Sequence, residues 1–95
     1  MYTHGEGVPE NDAEALKWFR LAAYKGETDA QNLLGLMYGT GKGVPENYIQ
    51  AYKWFNLAAA QGIEIAKKNK EIIAGRMLKA QIAEAQRLSA EWKPK

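Results

Sequence analysis

The chain repeats itself at an interval of 36 residues, and few folds accommodate that. Gly5, Gly7, Val8, Pro9, Glu10 and Asn11 recur as Gly41, Gly43, Val44, Pro45, Glu46 and Asn47, each 36 positions on. Ala15, Lys17, Trp18, Phe19, Leu21, Ala22, Ala23 and Gly26 recur as Ala51, Lys53, Trp54, Phe55, Leu57, Ala58, Ala59 and Gly62 with no gap. A period of roughly 20 to 50 residues marks stacked supersecondary units, in which each unit's apolar face is covered by its neighbour. The 95 residues therefore divide into a partial repeat at 1–4, repeats at 5–40 and 41–76, and a terminal segment at 77–92, all within one domain.

Each repeat reads as loop, helix, turn, helix. The loops GEGVPEN and GKGVPEN pair glycines, which reach positive φ at no steric cost, with a proline that lacks an N–H donor. Asn11 with Glu14, and Asn47 with Gln50, have capping-box spacing at the start of the first helix. Ala15, Trp18, Phe19, Ala22 and Ala23 then recur at helical spacing as an apolar stripe, copied by Ala51, Trp54, Phe55, Ala58 and Ala59. Small residues let a partner helix approach while the rings fill the remaining volume, so this stripe is expected to be interior. Gly26 and Gly62 stand where a helix ends in the left-handed region, and the second helix is expected to start near Thr28 or Asp29. That helix, Ala30 to Tyr38, offers Leu34, Met37 and Tyr38 to its neighbour. Its mid-helix Gly35 costs roughly 0.5–1 kcal/mol relative to alanine and so marks a place where two helices cross closely.

After Gly62 the pattern loses its loop. IEIAKKNKEIIAGRML keeps helical spacing through Ile65, Ile72 and Ile73, but no GxGV segment follows. AQIAEAQRLSAEWK is strongly helix-forming, with Ile82, Ala85, Leu88 or Ser89, and Trp92 on one stripe, and reads as a helix that caps the array. The fold expected is all-α, four or five helices in a right-handed stack.

Charge and composition narrow the function classes. Residues 1–62 carry five Lys/Arg against seven Asp/Glu (5 − 7 = −2), and 63–95 carry eight against four (8 − 4 = +4). The basic excess at the tail is small and mixed with acids, so a solvated helix face is favoured over a nucleic-acid or lipid surface. Neither a nucleic acid nor a membrane is expected as a partner. No apolar run approaches the roughly 20 residues of a membrane span, and the start MYTHGEGVPEN lacks the basic-then-apolar order of a secretory signal. A soluble protein, cytoplasmic or periplasmic, is expected. The absence of cysteine removes disulfides and thiolate metal sites.

These residues resemble the Sel1-like repeat family, a relative of the tetratricopeptide repeat. The resemblance rests on Asn11, Ala15, Trp18, Phe19, Ala22, Ala23 and Gly26 in the first helix and on Ala30, Leu34, Gly35 and Tyr38 in the second. Gly41, Gly43, Val44, Asn47, Ala51, Trp54, Phe55, Ala58 and Ala59 match again, and Gln81 to Trp92 is similar to the tails of many bacterial members. Leu78 and Lys79 stand where such tails commonly show a Thr-Pro helix start, so the last two helices are either separate or continuous through a kink. Tyr2 aligns with Tyr38, which reads as a chain beginning partway through a repeat. The resemblance implies an α-solenoid adaptor or scaffold that binds a partner protein or peptide on its concave face, with no chemistry of its own. The alternative is a hydrolase, since some cysteine-rich bacterial relatives are described as β-lactamases; the lack of cysteine separates this chain from them.

Individual residues point the same way. His4 sits in the first loop, corresponds to Thr40, and has no partner set for catalysis or metal binding, so it reads as a surface histidine. GTGKGV lacks the GK[ST] ending of a phosphate loop and follows a helix, so it reads as an inter-repeat turn. No cofactor, metal or catalytic residue is expected. Trp18 and Trp54 read as core and not as base- or sugar-stacking platforms. Opposite the Ala15 stripe, Lys17, Arg20 and Tyr24 on one helix and Lys53 and Asn56 on its repeat form a ladder of donors suited to a partner's backbone or acidic side chains. The first helix also lacks a preceding neighbour in the sequence, which leaves Trp18, or Leu16 and Leu21, partly uncovered and open to self-association.

Overall fold

The structure, a computed structural model, describes residues 12–93. Five helices follow in order: α1 (Asp12–Tyr24), α2 (Thr28–Thr40), α3 (Tyr48–Ala60), α4 (Glu64–Ala74) and α5 (Lys79–Glu91). No strand occurs among the described residues. α2 packs between α1 and α3, α4 packs on α3, and α5 lies along α3.

The turns between paired helices are built alike because their glycines adopt the same conformation. Gly26 and Gly62 have φ of 99° and 100°. In the first turn the N–H of Gly26 bonds to Ala23 O at 3.0 Å and that of Glu27 to Ala22 O at 3.1 Å. In the second, Gly62 bonds to Ala59 O at 3.0 Å and Ile63 to Ala58 O at 3.3 Å. Both are the doubly bonded Schellman closure, which satisfies carbonyls the helix end leaves open. Between repeats, Gly41 and Gly43 take φ of 76° and 83°, and the N–H of Asn47 returns to Tyr38 O at 2.9 Å. Asn47 then caps α3, its Oδ1 accepting from the N–H of Gln50 at 3.1 Å. The equivalent cap by Asn11 and the surface role of His4 lie outside the described residues.

The core forms in two clusters. One holds Ala23, Ala30, Leu34 and Trp54, the other Ala51, Tyr52, Phe55, Ile73 and Ala85. Gly35 is the hinge of this packing: a Cβ there would stand 2.6 Å from two carbons of the buried Phe55 ring. The close crossing expected at Gly35 is thus made with the helix of the following repeat. A buried Gln31 adds a polar tie, its Nε2 donating to Ala23 O at 3.2 Å while its Oε1 accepts from Gln61 Nε2 at 3.3 Å.

Trp18 corrects the sequence reading of the stripe. Trp54 is 1% exposed, but Trp18, its copy, is 60% exposed. Identical sequence does not secure identical burial, because the cover comes from neighbours. Tyr24 stacks on Trp54 with ring centroids 5.4 Å apart, and Trp92 meets it edge-on at 5.9 Å. Trp18 instead donates its indole N–H to Glu14 Oε2 at 3.2 Å on its own helix. Leu21 is exposed beside it.

The last two helices are separate. α4 ends at Ala74, and the N–H of Leu78 donates to Gln81 Oε1 at 2.9 Å to open α5. The end of the array has a side-chain logic. Stepping 36 from α2 places Lys70 at the position of Leu34 and Glu71 at that of Gly35, so α4 offers no close-approach site for another aromatic ring. α5 is correspondingly an aromatic-free version of α3. A step of 31 lays Leu88, Ser89 and Ala90 on Leu57, Ala58 and Ala59, with Ala85 and Gln86 in place of Trp54 and Phe55. Ala85 and Ser89 are its buried residues against α3. The Ser89 hydroxyl is satisfied within the helix, donating to Ala85 O at 2.9 Å. Trp92 closes over Trp54 at the end of the helix.

Candidate functional site

α1 carries most of the donor ladder. At about 100° per residue, Lys17, Arg20, Leu21 and Tyr24 share one side of the helix while Ala15 and Phe19 lie on the other. Leu16, Lys17, Arg20, Leu21 and Tyr24 line one open groove of about 260 Å³. Its floor is aliphatic and its lips carry two cationic side chains, both exposed. Arg20 is positioned by α2, its Nη2 donating to the Tyr38 hydroxyl at 2.8 Å. Tyr24 is positioned by its stack on Trp54.

The remaining two ladder residues lie on α3 and are less available. Lys53 is half-buried with its Nζ 4.3 Å from the centroid of the Trp54 ring, a cation–π placement. Burial holds its ammonium pKa below the ordinary 10.5, because taking the charged form out of water is unfavourable. Lys53 therefore joins Tyr24 through the shared Trp54 ring. Asn56 belongs to a different group: its Oδ1 accepts from Lys70 Nζ at 3.2 Å. Lys70 also stands 6.0 Å from the Tyr52 ring centroid, and the Tyr52 hydroxyl accepts from Gln86 Nε2 at 3.3 Å. So Lys17, Arg20 and Tyr24 are brought together, Lys53 is linked to them by an aromatic, and Asn56 is tied to α4.

Two further cavities flank α2 on the other side of α1, about 280 Å³ over Phe19 and about 190 Å³ over Phe55. Sequence reasoning missed both. Their signal was present in Leu33 and Leu36, apolar residues beyond the stripe that α2 needs for packing. No group of three His, Cys, Asp or Glu side chains able to hold a metal occurs among the described residues. No described helix is long and apolar enough to cross a membrane.

The protein-family model for the Sel1 repeat matches residues 1–27 and 28–63. No curated protein matches the chain. Among solved structures, c5321, a protective antigen present in uropathogenic Escherichia coli strains displaying an SLR fold, superposes with a TM-score of 0.87 at 32% identity. That match covers 93% of this chain and 19% of c5321, so the chain spans about a fifth of that relative's length. Repeats of this type are generally protein–protein interaction modules with an all-helical, tetratricopeptide-like fold. With two matched repeats and five helices superposing on an SLR fold, the chain belongs to the Sel1 repeat family.

Proposed function

We propose that this chain is a non-enzymatic interaction module that holds a partner protein or peptide along the α1 groove, on the concave face of the stack. The observation that carries the reading is the convergence of Lys17, Arg20 and Tyr24 on one open groove with an aliphatic floor. Two exposed cations over apolar walls suit a segment presenting carboxylates or backbone carbonyls beside a hydrophobic side chain. The Tyr38 hydroxyl holds the Arg20 guanidinium in place, which lowers the entropy lost when the partner engages it. Lys53, over Trp54, extends the positive surface onto the next repeat.

The test is affinity for a partner identified by crosslinking from Lys17 and Arg20. Lys17→Glu with Lys53→Glu should weaken that partner by tenfold or more, since each reversal sets like charges against each other. Unchanged affinity removes the reading.

A second reading follows from the exposure of Trp18 at 60% and Leu21 at 48% on the same helix. Such a patch favours association of two copies, by direct contact of α1 helices or by their exchange. Light scattering at about 100 μM should then report a mass above the monomer that Trp18→Gln returns to the monomer value. A strictly monomeric protein at that concentration overturns it.

A further inference from the structure

The two cavities that flank α2 are one groove built twice. Moving Phe19, Leu33, Leu36, Met37 and Thr40 of the first by 36 residues gives Phe55, Asn69, Ile72, Ile73 and Arg76 of the second. Leu36 and Thr40 line both, so α2 is a ridge between them. The floor in each case is a phenylalanine ring and the walls are aliphatic.

Folding does not account for the outermost of these residues. α4 carries Lys70 and Glu71 where α2 has the close-packed Leu34 and Gly35. Ile72 stays aliphatic although it is 60% exposed, as does its copy Leu36 at 38%, beside Leu33 at 40%. Scattered single apolar residues on a surface are ordinary, but three aligned on adjacent helices around two cavities form a patch.

The charge around the patch is of one sign. Among the described residues each groove is lined by a single ionisable side chain, Lys42 in the first and Arg76 in the second. Both are exposed, and neither makes an ion pair among the described residues. No acidic residue lines either groove among the described residues. The spacing also has a match. Neighbouring helices stand about 8–10 Å apart, and residues i and i+7 on one helix face are about 10.5 Å apart along its axis.

We propose that these paired grooves form a second docking surface, separate from the α1 groove, for an acidic amphipathic helix of a partner protein. Two large apolar side chains of that helix, one heptad apart, seat on either side of the Leu36 ridge. Its carboxylates meet Lys42 and Arg76 at the lips. The mode is a helix laid in a hydrophobic groove, with the two cations selecting the sign of its flank.

The probe is a synthetic helical peptide of about 16 residues, a little over four turns, with leucines at i, i+3 and i+7 and glutamates flanking them. Its binding to the full chain is read by fluorescence anisotropy beside a version with lysine for glutamate. The acidic peptide should bind at least tenfold tighter than the lysine version. Leu36→Gln with Ile72→Gln should weaken it tenfold or more with an unchanged helical circular dichroism spectrum. Lys42→Glu with Arg76→Glu should reverse the preference between peptides. Lys93→Glu, exposed after the end of α5 and lining none of the three grooves, should change nothing and controls for overall charge. The proposal is overturned if the acidic peptide shows no saturable binding, if the two peptides bind alike, or if Lys17→Glu, which alters the α1 groove, weakens binding as much as the groove variants. It is also overturned if light scattering shows that Leu36→Gln with Ile72→Gln turns a dimer into a monomer, for then the occupant is a second copy.

Discussion

Gly35→Ala separates packing from propensity, because the two predict opposite signs. In an unpacked helix the change is stabilising by about 0.5–1 kcal/mol, since alanine loses less backbone entropy than glycine. In this structure the new methyl stands 2.6 Å from two carbons of the Phe55 ring and 3.1 Å from a third. The ring is 2% exposed and cannot swing away into solvent. Forcing a methyl into such a contact costs about 1–3 kcal/mol. The net expectation is destabilisation centred on about 1 kcal/mol and reaching about 2.5 kcal/mol, which lowers Tm by about 4–8 °C per kcal/mol in a domain of this size.

The assay is urea denaturation followed by circular dichroism, run as a double-mutant cycle with Phe55→Leu. Removing part of the ring costs roughly 1 kcal/mol alone but opens room for the methyl. The two changes should therefore couple favourably by at least about 0.5 kcal/mol. If Gly35→Ala raises the Tm, or if the two changes add independently, α2 and α3 do not cross as described.

Gly62→Ala tests a different glycine cost. Nothing lies within 4 Å of a Cβ there, but φ is 100°, so the loss of about 1–2 kcal/mol is purely conformational and Phe55→Leu should not rescue it. Lys53 should give a pH signature. Its folded pKa lies below 10.5, so folding disfavours its charged form, and its contribution is most favourable above 10.5 and is lost as pH falls through the folded value. The stability of the native protein relative to Lys53→Met should therefore rise as pH climbs from the folded value towards 10.5; a constant difference contradicts the burial of this ammonium. On α5, hydrogen bonding from Arg87, joined by its charge, holds the Glu84 carboxyl below its usual range. An NMR titration should place Glu84 below 4.5, and Arg87→Gln should return it towards the ordinary value.

The repeat was legible in the sequence because glycine, proline and capping residues act locally. Gly26, Gly62 and Asn47 do in the structure what their chemistry requires wherever they stand. Gly35 was legible as a close crossing for the same reason, although which ring fills the space depends on the next repeat. Burial was less legible, because it belongs to pairs of elements. Trp18 and Trp54 are copies within copies, and only the second has Tyr24 and Trp92 against it. α5 was read as a cap but not as a third version of the same helix, since its aromatic pair is replaced by Ala85 and Gln86 and the spacing is shortened to 31. At the candidate surface, the helical wheel puts Lys17, Arg20 and Tyr24 on one side of α1, but it points Tyr24 away from the core, whereas its ring stacks on buried Trp54. Asn56 shares their wheel position one repeat later, but the pull of Lys70 from α4 depends on tertiary packing that a wheel does not contain.

The most direct test of a stack whose repeated tryptophan face is covered at α3 and open at α1 is fluorescence of single-tryptophan variants. With the other two tryptophans replaced by phenylalanine, Trp54 should emit at short wavelength and resist acrylamide, while Trp18 should emit at long wavelength and be quenched freely. Equal emission and equal quenching of the two would contradict the arrangement of helices on which every surface described here depends.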